Sequence, residues 1–344
     1  MRRFFSVIVV VSLFSTACID DEFLDIQNFN FQNEGVWVVN EGNFLYGNAS
    51  LTYIDLVTDD VFQTVFLRAN GTPLGDVAQS MAFWNEKAFI VVNNSQKIYA
   101  IHAKTAKFIG KITGLVSPRY MHIFSDEKAY VTDLYAKNIA VVNPMTYQLK
   151  GWIDVGHTTE SMQSWGDSLF VISWVNSQIV LVIDTNIDKA VDSIKVGFQP
   201  QSLVLDKNQK IWVLCQGGNQ NGRYKNPTLH CIDAQTVSVE ITFTFASSSS
   251  PSNLIINSTK DTLFFINKHI FKMPITERKL PEKPFIDGEK HLFYGINVHP
   301  SRKEIFVCDA VDYLQSGYVY RYSLEGKLIN VYEAGVIPSK CYFR

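Results

Sequence analysis

Seven short apolar runs, each closing on or just before a polar loop, recur along the chain. They are Val36–Asn40 (VWVVN), Ala88–Val92 (AFIVV), Ala129–Asp133 (AYVTD), Leu169–Ser173 (LFVIS), Ile211–Cys215 (IWVLC), Leu263–Asn267 (LFFIN) and Ile305–Asp309 (IFVCD). Their first residues lie 52, 41, 40, 42, 52 and 42 positions apart, the period of β-propeller blades and not of helical arrays. The third unit shows the order within a repeat: strands over 119–124, 129–133, 138–142 and 148–155, separated by short polar turns. Four such strands make a small antiparallel sheet with both faces apolar, which must stack on its neighbours around an axis.

A second column precedes each run. It reads QSMAF at 79–83, RYMHI at 119–123, ESMQS at 160–164 and QSLVL at 201–205, then SNLII at 252–256, YGINV at 294–298 and SKCYF at 339–343. The first unit has no such strand before it, and the last copy has no run after it. The expected fold is therefore all-β: a seven-bladed β-propeller over residues 35–344, its ring closed by the C-terminal strand completing the first blade. Closure removes two open sheet edges at once.

Composition agrees with this pattern. Aromatic residues make up 13% and charged residues 19% of the 344, a balance that suits pleated sheets better than long solvated helices. The formal net charge of -2 gives no chain-wide basic footprint, so no nucleic-acid partner is expected.

The N-terminus reads as an address. Arg2 and Arg3 precede an apolar run from Phe4 to Phe14, and Ser15, Thr16 and Ala17 lead into Cys18. Residues 1–17 are a signal peptide, too short for a permanent membrane helix. The small residues before Cys18 resemble the bacterial lipobox, with Ser15 where leucine is commonest and Leu13 nearby, which implies lipidation of Cys18. The other reading is an ordinary cleaved signal. Asp20, Asp21 and Glu22 resemble the surface-export signal of Bacteroidetes lipoproteins, or serve as a solvated tether. Residues 18–34 are then lipidated cysteine plus tether, and the expected location is the outer membrane, lipid-anchored and surface-exposed. Cys215, Cys231, Cys308 and Cys341 permit two disulfides, but their apolar contexts favour four buried free thiols.

Motifs for chemistry are sparse. The histidines form no HExxH, and no metal site is expected. His122 sits on an innermost strand, where a hydrogen-bonded structural role is favoured over a ligand. Asp133 and Asp309 end equivalent strands, either to hold a cation or to receive loop N–H groups. There is no GxSxG elbow, and Gly217–Gly222 lacks the lysine of a phosphate loop. If the protein were an enzyme, Glu41, Glu160, His157 and Asp309 would be its acids and bases. The loops between second and third strands, with those entering the innermost strands, carry amides and aromatics on one face: Asn43, Tyr46, Asn48, Asn94, Gln96, Tyr135, Trp174, Asn176, Gln216, Arg223, Tyr224 and Tyr313. Such a surface suits a large ligand of mixed polarity.

The units resemble YncE/YVTN-like seven-bladed propellers through Lys128–Thr132 (KAYVT), Ile139–Asn143 (IAVVN) and Gly197–Gln201 (GFQPQ). Val39–Asn43 (VNEGN) followed by Asn48–Leu51 (NASL) resembles the Bacteroidetes propeller lipoproteins that include the BtuG type. That resemblance implies a non-catalytic surface protein without a cofactor of its own. It would bind cobalamin (vitamin B12) or a related corrinoid on the loop face and hand it to a TonB-dependent outer-membrane transporter. The alternatives are a propeller enzyme, either a lyase or a quinone-dependent oxidoreductase, and a protein-interaction scaffold in a surface complex.

Overall fold

Seven small antiparallel sheets follow one another around a central channel in the computed structural model, which describes residues 26–344. The expected signal peptide, residues 1–17, and the expected lipidation site, Cys18, lie outside the described residues. Blade 1 is built from Gly35–Asn40, Ser50–Asp55 and Val61–Phe62, with Pro338–Phe343 as its innermost strand. That last strand pairs antiparallel with Gly35–Asn40, Trp37 opposite Tyr342 and Val39 opposite Lys340, so the ring closes as the sequence predicts. Blades 2, 3, 4, 5 and 7 have four strands each, with innermost strands Ala78–Trp84, Pro118–Ile123, Met162–Trp165, Pro200–Leu205 and Phe293–Val298.

Two units are longer than the rest for visible reasons. The first inserts a six-residue helix, Val65–Asn70, which buries Val65, Phe66 and Ala69. The fifth inserts an exposed hairpin, Gly218–Gln220 with Arg223–Lys225. Blade 6 departs from the four-strand pattern: its sheet holds only Ser252–Ile256, Thr262–Asn267 and His269–Pro274. The segment after it contains Pro281 and Pro284, which lack the N–H a ladder needs. It joins the sheet through backbone bonds between Ile270 and Phe285–Ile286, with Phe285 edge-on to Phe264 and Asp287 bonded to His269.

The core lies between blades. Each cluster of buried apolar side chains joins two neighbours: Trp37, Leu51 and Tyr53 of blade 1 meet Ile90 and Val92 of blade 2, and Val36 and Val38 on the other face meet Phe306 and Val319 of blade 7. Alternation along each strand sends successive side chains to opposite faces, and each face has a neighbour. The expected tether does not stay free along its whole length. Phe29 and Phe31 pack into the blade 1–2 cluster, Phe31 stacked on Tyr53 at 3.9 Å and edge-on to Trp37 at 5.5 Å. Aromatic residues two positions apart present one apolar face, which the blade buries.

All four described cysteines are free and buried. The Cys308 and Cys341 sulfurs lie 3.6 Å apart across the blade 7–1 seam, and burial pushes the Cys215 and Cys231 thiols up to about 12.

Candidate functional site at the channel mouth

The innermost strands share an irregularity that shapes the site. In six of the seven, the register with the second strand shifts within the first few residues, for example between Ala78 and Ser80, Pro200 and Ser202, or Phe293 and Gly295. A bulge there adds a residue and re-aims the side chains beside it. The pair ahead of the buried Met81, Met121, Leu203, Leu254, Ile296 or Cys341 is thereby left to line the channel. Those pairs contribute Gln79, Arg119 with Tyr120, Gln201, Ser252 with Asn253, Tyr294, and Ser339 with Lys340 to one cavity of about 510 Å³, and blade 4, whose register does not shift, adds Glu160 from just ahead of its innermost strand. Gly295 takes the pair's second place in blade 7 because the ring is tight there: a Cβ would sit 1.8 Å from the Ser339 carbonyl oxygen.

A second ring comes from the residue just past each second strand. The backbone N–H groups of Glu41, Asn93, Leu134, Gln216 and Ala310 donate to the carbonyls of Ile337, Val77, Ser117, Gln199 and Leu292 at 2.8 to 3.0 Å. Val77, Gln199 and Ile337 hold left-handed backbone conformations, φ 54 to 57°, which is costly for a β-branched residue. The repeated bond hangs Glu41, Leu134 and Gln216 over the channel mouth, and Trp174 occupies the matching place in blade 4.

Charges in the cavity are paired. Arg119 forks onto Glu160 with two 2.7 Å bonds and donates its remaining arm to Gln79, tying blades 2, 3 and 4 together. Burial works against the guanidinium charge, and Glu160 outweighs it. Lys340 lies over the Tyr120 ring at 4.1 Å and contacts its hydroxyl. The Tyr294 hydroxyl donates to Glu41 Oε2 at 3.0 Å. Burial raises the proton affinity of Glu41 above the ordinary carboxylate value, although Lys340 pulls it down. The same burial lowers that of Lys340. Acid and amine are thus both driven toward the neutral range in which proton transfer is effective. Burial also raises Tyr120 and Tyr294, so both phenols stay protonated as donors.

Of the residues expected on the loop face, Trp174, Gln216 and Tyr313 line this cavity, with Trp174 Nε1 donating to Gln216 at 3.2 Å. The others do not. Asn43 and Asn48 bond each other, and Asn43 also holds the Tyr313 carbonyl at 2.6 Å. Asn94 is bound to the Asp76 carboxylate, and Gln96 and Asn176 are left-handed turn residues. Tyr46 and Tyr135 are 78% and 70% exposed, while Arg223 and Tyr224 project on the blade 5 hairpin. Among the four acids and bases weighed for an enzyme, Glu41 and Glu160 are in the cavity and His157 is exposed at the surface. Asp309 is buried, its oxygens taken by His291 and the N–H groups of Leu292 and Val311. Asp133 is likewise filled by four backbone N–H groups. His122 packs edge-on to Phe124, and burial lowers its proton affinity. Among the described residues no three His, Cys, Asp or Glu side chains cluster as metal ligands.

Arg119, Tyr120, Tyr294 and Lys340 went unremarked as chemistry in the sequence. Their signal is the first two columns of the innermost-strand repeat, which read Gln-Ser, Arg-Tyr, Glu-Ser, Gln-Ser, Ser-Asn, Tyr-Gly and Ser-Lys ahead of an apolar third column. Polar and variable positions inside an otherwise regular repeat mark a lining that blade packing does not dictate.

Residues 34–337 match the family described as "Domain of unknown function (DUF5074)", and the chain belongs to that family. No curated protein matches it. Three solved structures are similar in fold. A quinonprotein alcohol dehydrogenase-like protein from Bacteroides thetaiotaomicron has a TM-score of 0.72 at 15% identity, covering 92% of this chain and 79% of that one. A periplasmic gluconolactonase from Pseudomonas aeruginosa gives 0.61 at 13%, covering 90% and 99%. A dihydro-heme d1 dehydrogenase gives 0.59 at 9%, covering 89% and 74%. Identity this low carries the fold alone.

These findings correct the functional expectation. Non-catalytic binding of cobalamin, with transfer to a TonB-dependent transporter, does not stand. The fold neighbours named above carry enzyme or enzyme-like names, and the channel mouth holds a recessed acid and amine, each partnered by a phenol. Of the expected amides, Asn43 and Asn48 bond each other, Asn94 bonds Asp76, and Gln216 alone lines the cavity.

Proposed function

We propose that the protein is a propeller enzyme that carries out general acid–base chemistry on a small, neutral, hydroxyl-rich molecule at the channel mouth. The observation that carries this reading is the meeting, in one 510 Å³ cavity, of Glu41 and Lys340 from adjacent strands, each in contact with a buried tyrosine. The lining charges balance, Glu41 and Glu160 against Arg119 and Lys340, which favours a neutral substrate over an ion. Gln79, Gln201, Gln216, Ser252 and Asn253 supply hydrogen bonds for hydroxyls, and Trp174 and Tyr313 offer flat apolar area. A sugar lactone meets these demands, and the gluconolactonase fold neighbour supports the choice.

Glu41 takes a proton from water as its oxygen attacks the lactone carbonyl. Lys340, held by Tyr120, donates a hydrogen bond to the oxygen that gains charge. The ring C–O bond then breaks, and the leaving alkoxide receives the proton.

A pH-stat assay of the purified full-length protein on five- and six-membered sugar lactones tests this. Turnover should fall roughly 100-fold in Glu41→Gln with little change in KM. Rates no greater than spontaneous hydrolysis, or unaffected by Glu41→Gln, would overturn it. The proposed location is the cell surface, anchored through lipid on Cys18; Cys18→Ala should release the protein from membranes, and continued membrane fractionation would remove that reading.

A further inference from the structure

The last strand docks against blade 7 with two thiols in contact. We propose that Cys308 and Cys341 form a modification site, oxidised to a disulfide that fastens the ring at its closing seam.

Four cysteines can be joined in three ways, and the packing selects among them. Cys215 and Cys231 lie on neighbouring strands of blade 5 but on opposite faces, one in the cluster shared with blade 4 and the other in the cluster shared with blade 6. They reach neither each other nor the seam between blades 7 and 1. Cys308 and Cys341 belong to a single cluster, with their sulfurs 3.6 Å apart. A disulfide length near 2.05 Å asks for an approach of about 1.5 Å, which small turns about the two Cα–Cβ bonds can share. The backbone is already held for it. The Cys341 N–H donates to Asn297 Oδ1 on the innermost strand of blade 7 at 3.0 Å, and Ser339 passes so near Gly295 that no side chain fits there. The two cysteines are 33 residues apart along the chain, so they meet only when the closing strand is in place.

Burial sets the order of events. Both residues are fully buried, and burial, with Cys308 alongside, holds the Cys341 thiol well above its ordinary value. The thiolate is the species that exchanges, so oxidation is slow in a closed ring and fast while the last strand is undocked. The oxidant is a small-molecule disulfide. One cysteine attacks it, forming a mixed disulfide and releasing one thiol; the other displaces the second thiol as the strand seats. Two electrons and two protons pass from the protein to the oxidant, which leaves as two thiols. The finished bond is shielded from reductants and restricts the unfolded chain by closing a loop.

Cell-free synthesis of the full-length protein, once with oxidised glutathione and once with a thiol reductant, tests the site independently of the channel-mouth reading. Each product is alkylated under denaturing conditions and mapped by mass spectrometry without reduction. The oxidised product should carry two fewer alkylated cysteines, a single cross-linked peptide joining Cys308 to Cys341, and a thermal midpoint higher by about 5 °C. Cys308→Ala should abolish both the cross-link and the rise. Adding oxidised glutathione to the folded, reduced protein should form the cross-link at least about tenfold more slowly than during synthesis. The proposal is overturned by equal alkylation of the two products, by a cross-link between other cysteines, by equal thermal midpoints, or by oxidation of the folded protein as fast as during synthesis.

Discussion

His230 shows how one side chain can set the acid limit of the fold. Its Nε2 accepts from the Gly197 N–H at 2.9 Å, and its Nδ1 lies 2.9 Å from the Thr242 hydroxyl, so the ring is held neutral with the proton on Nδ1. Burial lowers its pKa from 6.5 to about 4. Protonation would aim a second ring N–H at the N–H of Gly197. Because the folded value lies below the unfolded one, this stabilisation is whole above about pH 6.5 and is lost as pH falls toward 4, a swing of about 3 kcal/mol. Urea midpoints should drop across that window, and His230→Gln should flatten the drop. An equally steep decline in His230→Gln would show that another group governs it. At this scale the sequence was least informative. Nothing in the LHCID context of His230 announces a buried hydrogen-bonding ring, and Glu41 and Glu160 stood out only as carboxylates near loops. Their partners lie 253 and 41 residues away, Tyr294 and Arg119 respectively, and separations of that kind become contacts only once the ring exists.

Strands and their spacing were far more legible, because a half-buried or fully buried strand writes its period directly into the chain. The run-and-turn pattern gave each second strand and each innermost strand close to its observed limits, and the polar Asp or Asn residues after runs marked the turns they brace. Two elements escaped it. The fourth place in blade 6 is empty of strand because Pro281 and Pro284 interrupt it. The segment before blade 1 reads as linker by composition, while Phe29 and Phe31 are spaced to share one face. Removing the second of these should be costly. Phe31 is 9% exposed and touches Phe29, Trp37, Tyr53 and Phe62, so Phe31→Ala should destabilise the protein by about 3 kcal/mol. Chemical denaturation measures this directly, and a change under about 0.5 kcal/mol would mean that the segment rests on the blade without supporting it.

For the molecule as a whole, stability depends on closure. Each blade is flanked on both faces by neighbours, and the strand Pro338–Phe343 supplies both the inner edge of blade 1 and contacts to blade 7 through Cys341 and Phe343. Deleting residues 338–344 leaves blade 1 with an unpaired edge facing the channel and opens the seam with blade 7. Loss of a single cooperative thermal transition, read by circular dichroism and calorimetry, is the expected result. An unaltered transition would mean that the ring holds without its last strand.

The bulged start of the innermost strands separates two tasks that most folds entangle. Residues that hold the blades together lie mostly between sheets, whereas the positions at the channel rim, the clasp of Arg119 on Glu160 and Gln79 apart, carry most of the chemical character. Those pairs behave like type set in a fixed frame: the letters can be changed while the frame stays square. Two propellers with superimposable blades can therefore process unlike molecules, and two with little overall identity can process the same one. Comparing such proteins by the lettering on the rim, position by position around the ring, would sort them by chemistry where comparing whole chains sorts them only by shape.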